Sequence, residues 1–89
     1  MEKYNTIVLL IFLAITRHGI MSEDLYSATY KGLTSVPGNI PANVTQIKLA
    51  FNEISCLGDY VFGNFTDLTS LDLQQNKLEN ISSDAFTHT

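Results

Sequence analysis

The most informative shortages in this sequence of 89 residues are those of cysteine, basic residues and long apolar runs. Cys56 is the single cysteine, so no disulfide can form within the chain. Small secreted domains usually depend on paired cysteines, and this chain would have to rely on apolar packing instead. Hydrophobic residues make up 45% and charged residues 16%, the reverse of the balance in disordered chains. We therefore expect at most one small folded domain.

Basic residues are scarce beyond the first 22 positions. Residues 23–89 contain eight acidic residues and three lysines, which gives a net charge of −5 with neutral histidine. Proteins that bind nucleic acid or an anionic membrane surface generally present a cluster of lysine and arginine. The charge balance therefore argues against both kinds of partner.

The longest apolar run, IVLLIFLAI at residues 7–15, is too short to span a membrane, which takes about 20 residues. Its length and its position behind Lys3 are typical of a secretory signal peptide, although an Ala-x-Ala cleavage pattern is absent. We predict a signal peptide at residues 1–22. The alternative is a short buried strand or helix of the fold. Because this run is too short to span a membrane, membrane attachment would require a span beyond the given sequence.

An internal repeat is the main feature of the remaining sequence. Residues 44–54 read VTQIKLAFNEI and residues 68–78 read LTSLDLQQNKL, so apolar residues and an asparagine recur with an offset of 24 residues. The same offset relates Phe62 to Phe86. A period of this length predicts stacked units that bury a shared core, because one unit cannot bury its apolar edge alone.

Each repeat combines a strand with a turn. The alternation of apolar and polar residues before each asparagine predicts a short strand. Asn52 and Asn76 would satisfy backbone groups at the following turn and form a ladder inside the molecule. Phe62 and Phe86 would fill the interior with one ring above the other.

This pattern resembles the extracellular leucine-rich-repeat family, and LTSVPGNIP at residues 33–41 resembles the phrase that ends its N-terminal capping module. The resemblance covers about residues 25–89 and extends to the start of Toll-like receptors, small leucine-rich proteoglycans, Slit-like guidance proteins and variable lymphocyte receptors. It implies an α/β leucine-rich-repeat solenoid, with a short parallel β-sheet on the concave side and loops or short helical turns on the convex side.

The resemblance also implies a division of the chain. The predicted units are a signal peptide (1–22), a cap without cysteines (23–43), a first repeat (44–67) and an incomplete second repeat (68–89). Caps of this family usually carry disulfides, and Ala28 stands where a cysteine would be expected. Apolar contacts would then have to hold the cap, and the candidates are Leu25, Tyr26, Tyr30, Leu33, Val36 and Ile40.

Strand residues that face away from the core form the predicted binding surface, as the concave sheet face does in this architecture. The predicted partner-binding residues are Gln46, Lys48, Phe51, Ser70, Asp72, Gln74 and Gln75, and Ala50 is expected to face the same way. Lys48 and Asp72 would lie about 4.8 Å apart in adjacent strands and could form a salt bridge. Phe51 would be either an exposed aromatic anchor or a cover for the core.

Three glycosylation sequons occur, at Asn43, Asn64 and Asn80. An apolar residue that is expected to face the core follows each asparagine, so the asparagines should point outward. Cys56 aligns with Asn80 through the repeat, which predicts an exposed thiol able to join two chains. The alternative is an inert packed thiol.

No nucleophile elbow, phosphate loop or metal-ligand spacing is present, so we expect no catalytic, metal or cofactor residues and no enzyme. The predicted function is recognition of an extracellular protein or glycan, as the N-terminal part of a secreted or cell-surface receptor in innate immunity or adhesion. The alternatives are a small secreted matrix or decoy protein without signalling and a truncated gene product. The second repeat breaks off at Thr89, which predicts either a fragment or a homodimer through the open edge or Cys56.

Overall fold

The computed structural model describes residues 10–12 and 24–87. The predicted signal peptide lies outside the described residues except for three positions, and it remains a prediction. The strands, in chain order, are β1 (Leu10–Phe12), β2 (Leu25–Ser27), β3 (Gln46–Lys48), β4 (Cys56–Leu57), β5 (Ser70–Asp72) and β6 (Asn80–Ile81).

The strands form two small sheets. In the larger sheet the order is β1-β5-β3-β2, and β2, β3 and β5 run parallel to one another. Strands β4 and β6 pair in parallel in the second sheet. Strand β1 runs antiparallel to β5. The edge of β5 that we expected to be open is therefore paired with β1 in this structure.

The pairing register reproduces the offset of 24 residues found in the sequence. Ile47 pairs with Leu71 in the larger sheet, and Leu57 pairs with Ile81 in the second. In a parallel ladder at this offset, equivalent residues of the two repeats lie beside each other. Their apolar side chains therefore stack into one core.

The core is made of the repeated apolar positions. The largest fully buried side chains are Ile47, Leu49, Ile54, Leu57, Leu68, Leu71, Leu73 and Leu78. Phe62 is buried behind them and stacks on Phe86, with ring centroids 5.5 Å apart and planes inclined by 23°. The expected stacking of one phenylalanine ring above the other is confirmed, but Phe86 is 41% exposed, so the expectation that both rings fill the interior is wrong for Phe86. Phe86 belongs to the last described coil, and no described repeat follows to cover its ring.

The cap contributes less to this core than the repeats do. Its buried hydrophobic residues are Ala28 and Ile40, and Tyr26, Leu33 and Val36 pack partly against the cluster. Ala28, where a cysteine was expected, instead places a small methyl group in the core.

Two of the expected cap contacts are wrong. Leu25 is 51% exposed and Tyr30 is 72% exposed. Leu25 alternates with the inward-facing Tyr26 along β2, so it shares the outer face of the sheet with Ser27. Tyr30 lies beyond the end of β2, where the backbone turns away from the core.

The segments that link the sheets contain turns and no helix within the described residues, so the α part of the expected α/β class is not found there. Between β4 and β5 the backbone forms successive turns, in which an N–H group donates to the carbonyl oxygen three residues earlier. Examples are Gly63 N–H to Tyr60 O (3.2 Å) and Phe65 N–H to Phe62 O (3.2 Å). Separate turns of this kind do not propagate into an α-helix, which needs bonds four residues apart. No described helix is long and apolar enough to cross a membrane.

Candidate interaction surface

Asn52 is a buried polar residue that joins the first repeat to the cap. Its Oδ1 accepts hydrogen bonds from the backbone N–H groups of Lys31 (2.9 Å) and Leu33 (3.0 Å). Its Nδ2 donates to the carbonyl oxygens of Ala28 (2.8 Å) and Leu49 (3.0 Å). The amide therefore satisfies turn groups on both sides of the junction, which are costly to bury without partners.

Asn76 has the equivalent role in the second repeat. Its Oδ1 accepts from the N–H of Ile54 (2.9 Å), and its Nδ2 donates to the carbonyl oxygens of Leu49 (2.8 Å) and Leu73 (3.1 Å). The two asparagines fix the path of the chain where it leaves the larger sheet. Their hydrogen bonds thereby also constrain the backbone conformation of the preceding residues, Phe51 and Gln75.

A left-handed backbone residue lies at this exit point in the cap and in both repeats. Tyr30, Phe51 and Gln75 have φ angles of 56°, 60° and 58°. Bulky residues rarely adopt this region, which Gly and Asn accept more readily. Sequence reasoning missed the feature because no glycine marks it. The sequence signal that could have indicated this conformation is the position of Phe51 and Gln75 directly before Asn52 and Asn76.

The sheet face carries the predicted partner-binding residues in register. Gln46 pairs with Ser70 and Lys48 with Asp72 across β3 and β5. Lys48 is exposed and the other three are half-buried. These four residues lie on one continuous surface, as the repeat alignment predicts.

The residues of the predicted binding surface that lie beyond the strands differ in exposure. Gln74 is half-buried and Gln75 is exposed. Ala50 is only 3% exposed, so its expected outward position is wrong. Its single methyl group projects too little beyond the backbone to remain accessible between neighbouring segments of chain.

The expected salt bridge between Lys48 and Asp72 is not formed. The carboxylate of Asp72 instead accepts hydrogen bonds from the backbone N–H (3.1 Å) and Nε2 (3.3 Å) of Gln74. Lys77, in contrast, pairs with Glu53 at 3.4 Å. Within the described regions of the chain, Lys48 has no ion-pair partner, so its charge is available at the surface.

Phe51 packs face to face with Tyr30. The ring centroids are 4.5 Å apart, and the ring planes are inclined by 8°. Phe51 is nevertheless 41% exposed and Tyr30 more so. Phe51 is thus half of an exposed aromatic pair rather than a cover for the leucine core, a pairing that sequence reasoning did not anticipate.

The three sequon asparagines are all exposed, and none of them belongs to β2, β3 or β5. Asn43 precedes β3, and its Nδ2 donates to the Asp24 carboxylate at 3.3 Å. Asn64 lies in a turn, and Asn80 begins β6. The side chains are therefore accessible for glycosylation, and the presence of glycans remains a prediction.

Cys56 is an exposed free thiol on the second sheet. It pairs with Asn80 across β4 and β6, and the Asn80 Nδ2 lies 3.8 Å from its Sγ. The register therefore places the thiol where the repeat alignment puts it. Its use in joining chains remains a prediction.

No three histidine, cysteine, aspartate or glutamate residues among those described lie close enough together to hold a metal ion. His88 lies outside the described residues. The described geometry thus presents a contact surface, and we derive no reaction from it.

Comparison with known proteins agrees with this geometry. Residues 42–89 match the family described as Leucine rich repeat. Toll-like receptor 4 of Equus caballus is 33% identical over 67 residues, which cover 75% of this chain and 8% of that protein. Amphoterin-induced protein 2 of Mus musculus is 34% identical over 71 residues, 79% of this chain and 14% of that protein.

Keratocan of Gallus gallus is 43% identical over 56 residues, which cover 61% of this chain and 16% of that protein. The chain thus spans only a small fraction of the length of each of these relatives.

Proposed function

Because the chain belongs to the leucine-rich-repeat family, we propose that it is an extracellular recognition module. In this proposal residues 24–87 form the first turns of a solenoid, and the outer face of β2, β3 and β5 binds a protein partner. The signal peptide predicted at residues 1–22 and the three exposed sequons support an extracellular location.

The observation that carries this proposal is the in-register sheet face. Four side chains of mixed chemistry, those of Gln46, Lys48, Ser70 and Asp72, project from two parallel strands. A parallel sheet spaces such side chains about 4.8 Å apart on a rigid support. Because the backbone that carries these side chains is already ordered, binding does not have to order it, which favours recognition.

A receptor and a matrix protein are the two specific roles within this function. The relatives named Toll-like receptor 4 and amphoterin-induced protein 2 support the first, as the N-terminal portion of a receptor in innate immunity or adhesion. The relative named keratocan supports the second, a secreted matrix or decoy protein that binds a protein or a glycan. A homodimer through the edge of β5 would require that β1 be absent, as it would be after cleavage of the predicted signal peptide, whereas one through Cys56 would not.

The proposal is tested by expressing the full coding sequence with a C-terminal tag in cultured animal cells. We expect the protein in the medium, with a gel mobility that increases after N-glycosidase treatment. Retention inside the cells without glycans would contradict the extracellular location.

Binding is then measured by flow cytometry of the secreted protein on a panel of animal cell lines. We expect Lys48→Glu to abolish staining of any line that the parent protein stains, because it reverses a charge at the centre of the sheet face. Glu79→Lys, an equal reversal at an exposed site before β6, is the matched control and should leave staining unchanged. Equal loss in both variants, or in neither, would contradict binding through the sheet face.

A further inference from the structure

The rings of Tyr30 and Phe51 lie outside the leucine core. Both residues adopt φ near +60°, the left-handed conformation that Gln75 also has at the exit from the larger sheet. Neither ring enters the leucine core, since one is 72% and the other 41% exposed. Two large exposed rings therefore lie together at the surface, where a partner can reach them.

The stack leaves one aromatic face open. With the rings 4.5 Å apart and nearly parallel, each covers one face of the other. Gln75 follows Phe51 in the same series of left-handed positions, whereas Tyr30 begins that series. Among the described residues Tyr30 is 72% exposed, so its outer face is accessible, and another planar apolar group can extend the stack there.

Two lysines lie close to the stack in the chain, although residues 23–89 are acidic overall. Lys31 directly follows Tyr30, and Lys48 lies on the sheet face three residues before Phe51. Both lysines are exposed, and neither forms an ion pair within the residues that the structure describes. Lys77, the remaining lysine of this region, is already paired with Glu53. Two exposed lysines without ion pairs among the described residues therefore lie near the aromatic pair in the chain. The carboxylate of Asp72, opposite Lys48 in the ladder, is occupied by hydrogen bonds from Gln74.

We propose that Tyr30, Lys31, Lys48 and Phe51 form a docking site for an acidic protein segment that carries an aromatic side chain. The aromatic group of the partner packs on the open face of Tyr30, and its carboxylates lie near the two lysine ammonium groups. This inference rests on the proposed recognition function and names the chemistry of its partner. Aromatic anchors beside complementary charges are typical of binding hot spots.

The absence of tryptophan from the chain provides a direct assay. A synthetic peptide of eight residues, with one tryptophan among aspartates and glutamates, is titrated with the full chain while tryptophan anisotropy and emission are recorded. We expect anisotropy to rise, the emission to shift to shorter wavelength, and the affinity to fall as salt is added. A peptide with lysines in place of the acids, and one with alanine in place of tryptophan and a dye at its end, are the matched probes and should bind weakly or not at all.

Variants can remove either ring without imposing a new backbone conformation. Tyr30→Asn and Phe51→Asn place a residue that accepts positive φ at each position. We expect Tyr30→Asn to weaken binding about fivefold, the scale of one aromatic contact. Tyr60→Asn makes the same backbone change at a φ of 64° and removes an exposed ring in the turn after β4, outside the proposed site, so it should bind as the parent does. Circular dichroism should show all three variants folded.

Several outcomes would overturn the inference. These are equal binding of acidic and basic peptides, unchanged binding by Tyr30→Asn, and no binding of the acidic peptide while a sulfated oligosaccharide binds. The last result would assign the surface to glycans. If Lys48→Glu alone abolished cell staining while Tyr30→Asn left it unchanged and no peptide bound, recognition by the sheet face would stand and this docking site would be wrong.

Discussion

Hydrogen bonds cross the junction between the two repeats near the larger sheet, after the turn, in the second sheet and in the turn that follows it, where Phe62 N–H donates to Ala85 O (2.9 Å). The bonds between the described cap residues and the first repeat occur only at the first two of these places. Between the repeats, N–H groups of the second repeat donate to Thr45 O (2.8 Å) near the sheet, to Ile54 O (3.0 Å) after the turn and to Leu57 O (2.9 Å) in the second sheet. For the described residues of the cap, such bonds extend from Asp24 O to Leu33 O and reach no further.

The apolar contacts differ in the same direction. The repeats face each other with large buried side chains, while the buried hydrophobic residues of the cap are Ala28 and Ile40. The described residues of the cap, 24–43, also contribute no strand to the second sheet, in which β4 pairs with β6. The comparison teaches that leucine packing holds the repeats together, and that Asn52 and a short ladder hold the cap.

The largest expected effect comes from a leucine between the repeats. Leu71→Ala should lower the free energy of unfolding by about 3–4 kcal/mol, because it removes a fully buried side chain and leaves a cavity. Ile40→Ala in the cap should cost clearly less, because that region can relax toward solvent. Urea denaturation followed by circular dichroism measures both, with Leu71→Ile as the volume-conserving control. Equal losses at Leu71 and Ile40 would refute the difference between the junctions.

The next largest effects concern the two asparagines. Asn52→Ala and Asn76→Ala should each cost about 2–3 kcal/mol, because buried backbone groups lose their partners. Hydrogen exchange distinguishes them, since Asn52→Ala should speed exchange at Lys31 and Leu33, and Asn76→Ala at Ile54.

Exposed Asn39, in a turn of the cap, supplies the control for these two variants, and Asn39→Ala should change neither stability nor exchange. Faster exchange throughout the chain in Asn52→Ala would mean that the cap does not open separately from the repeats.

The repeat and its family were predictable because apolar spacing reports directly on which residues share a core. The parallel pairing of Ile47 with Leu71 follows from the offset of 24 residues alone. The aromatic pair was not predictable, because Tyr30 precedes the first recognisable repeat and no glycine marks its backbone conformation. The sequence pattern also failed to predict that Ala50 is buried, because its side chain is too short to reach solvent. It failed as well to predict that Asp72 bonds with the backbone N–H of Gln74 instead of with Lys48.

A smaller effect should distinguish the exit residues of the two junctions. Gln75→Asn should raise the free energy of unfolding by up to about 1 kcal/mol, because asparagine accepts the positive φ more readily. Phe51→Asn gains the same relief but loses the stack with Tyr30, worth about 0.5–1.5 kcal/mol, so the net change should be near zero. Thermal unfolding measures both changes. A larger gain in Phe51→Asn than in Gln75→Asn would show that the stack contributes nothing to the attachment of the cap.

The smallest effect is expected for the ion pair that bridges the repeats at Lys77 and Glu53. Their charged atoms lie 3.4 Å apart, but both side chains are largely exposed, so water and salt screen their attraction. Lys77→Ala should therefore change the free energy of unfolding by less than about 0.5 kcal/mol, and the difference should vanish at high salt. A double-mutant cycle with Glu53→Ala isolates the pair from the change in net charge. A coupling comparable to the loss in Leu71→Ala would mean that surface charge, rather than leucine packing, distinguishes this junction from that of the cap.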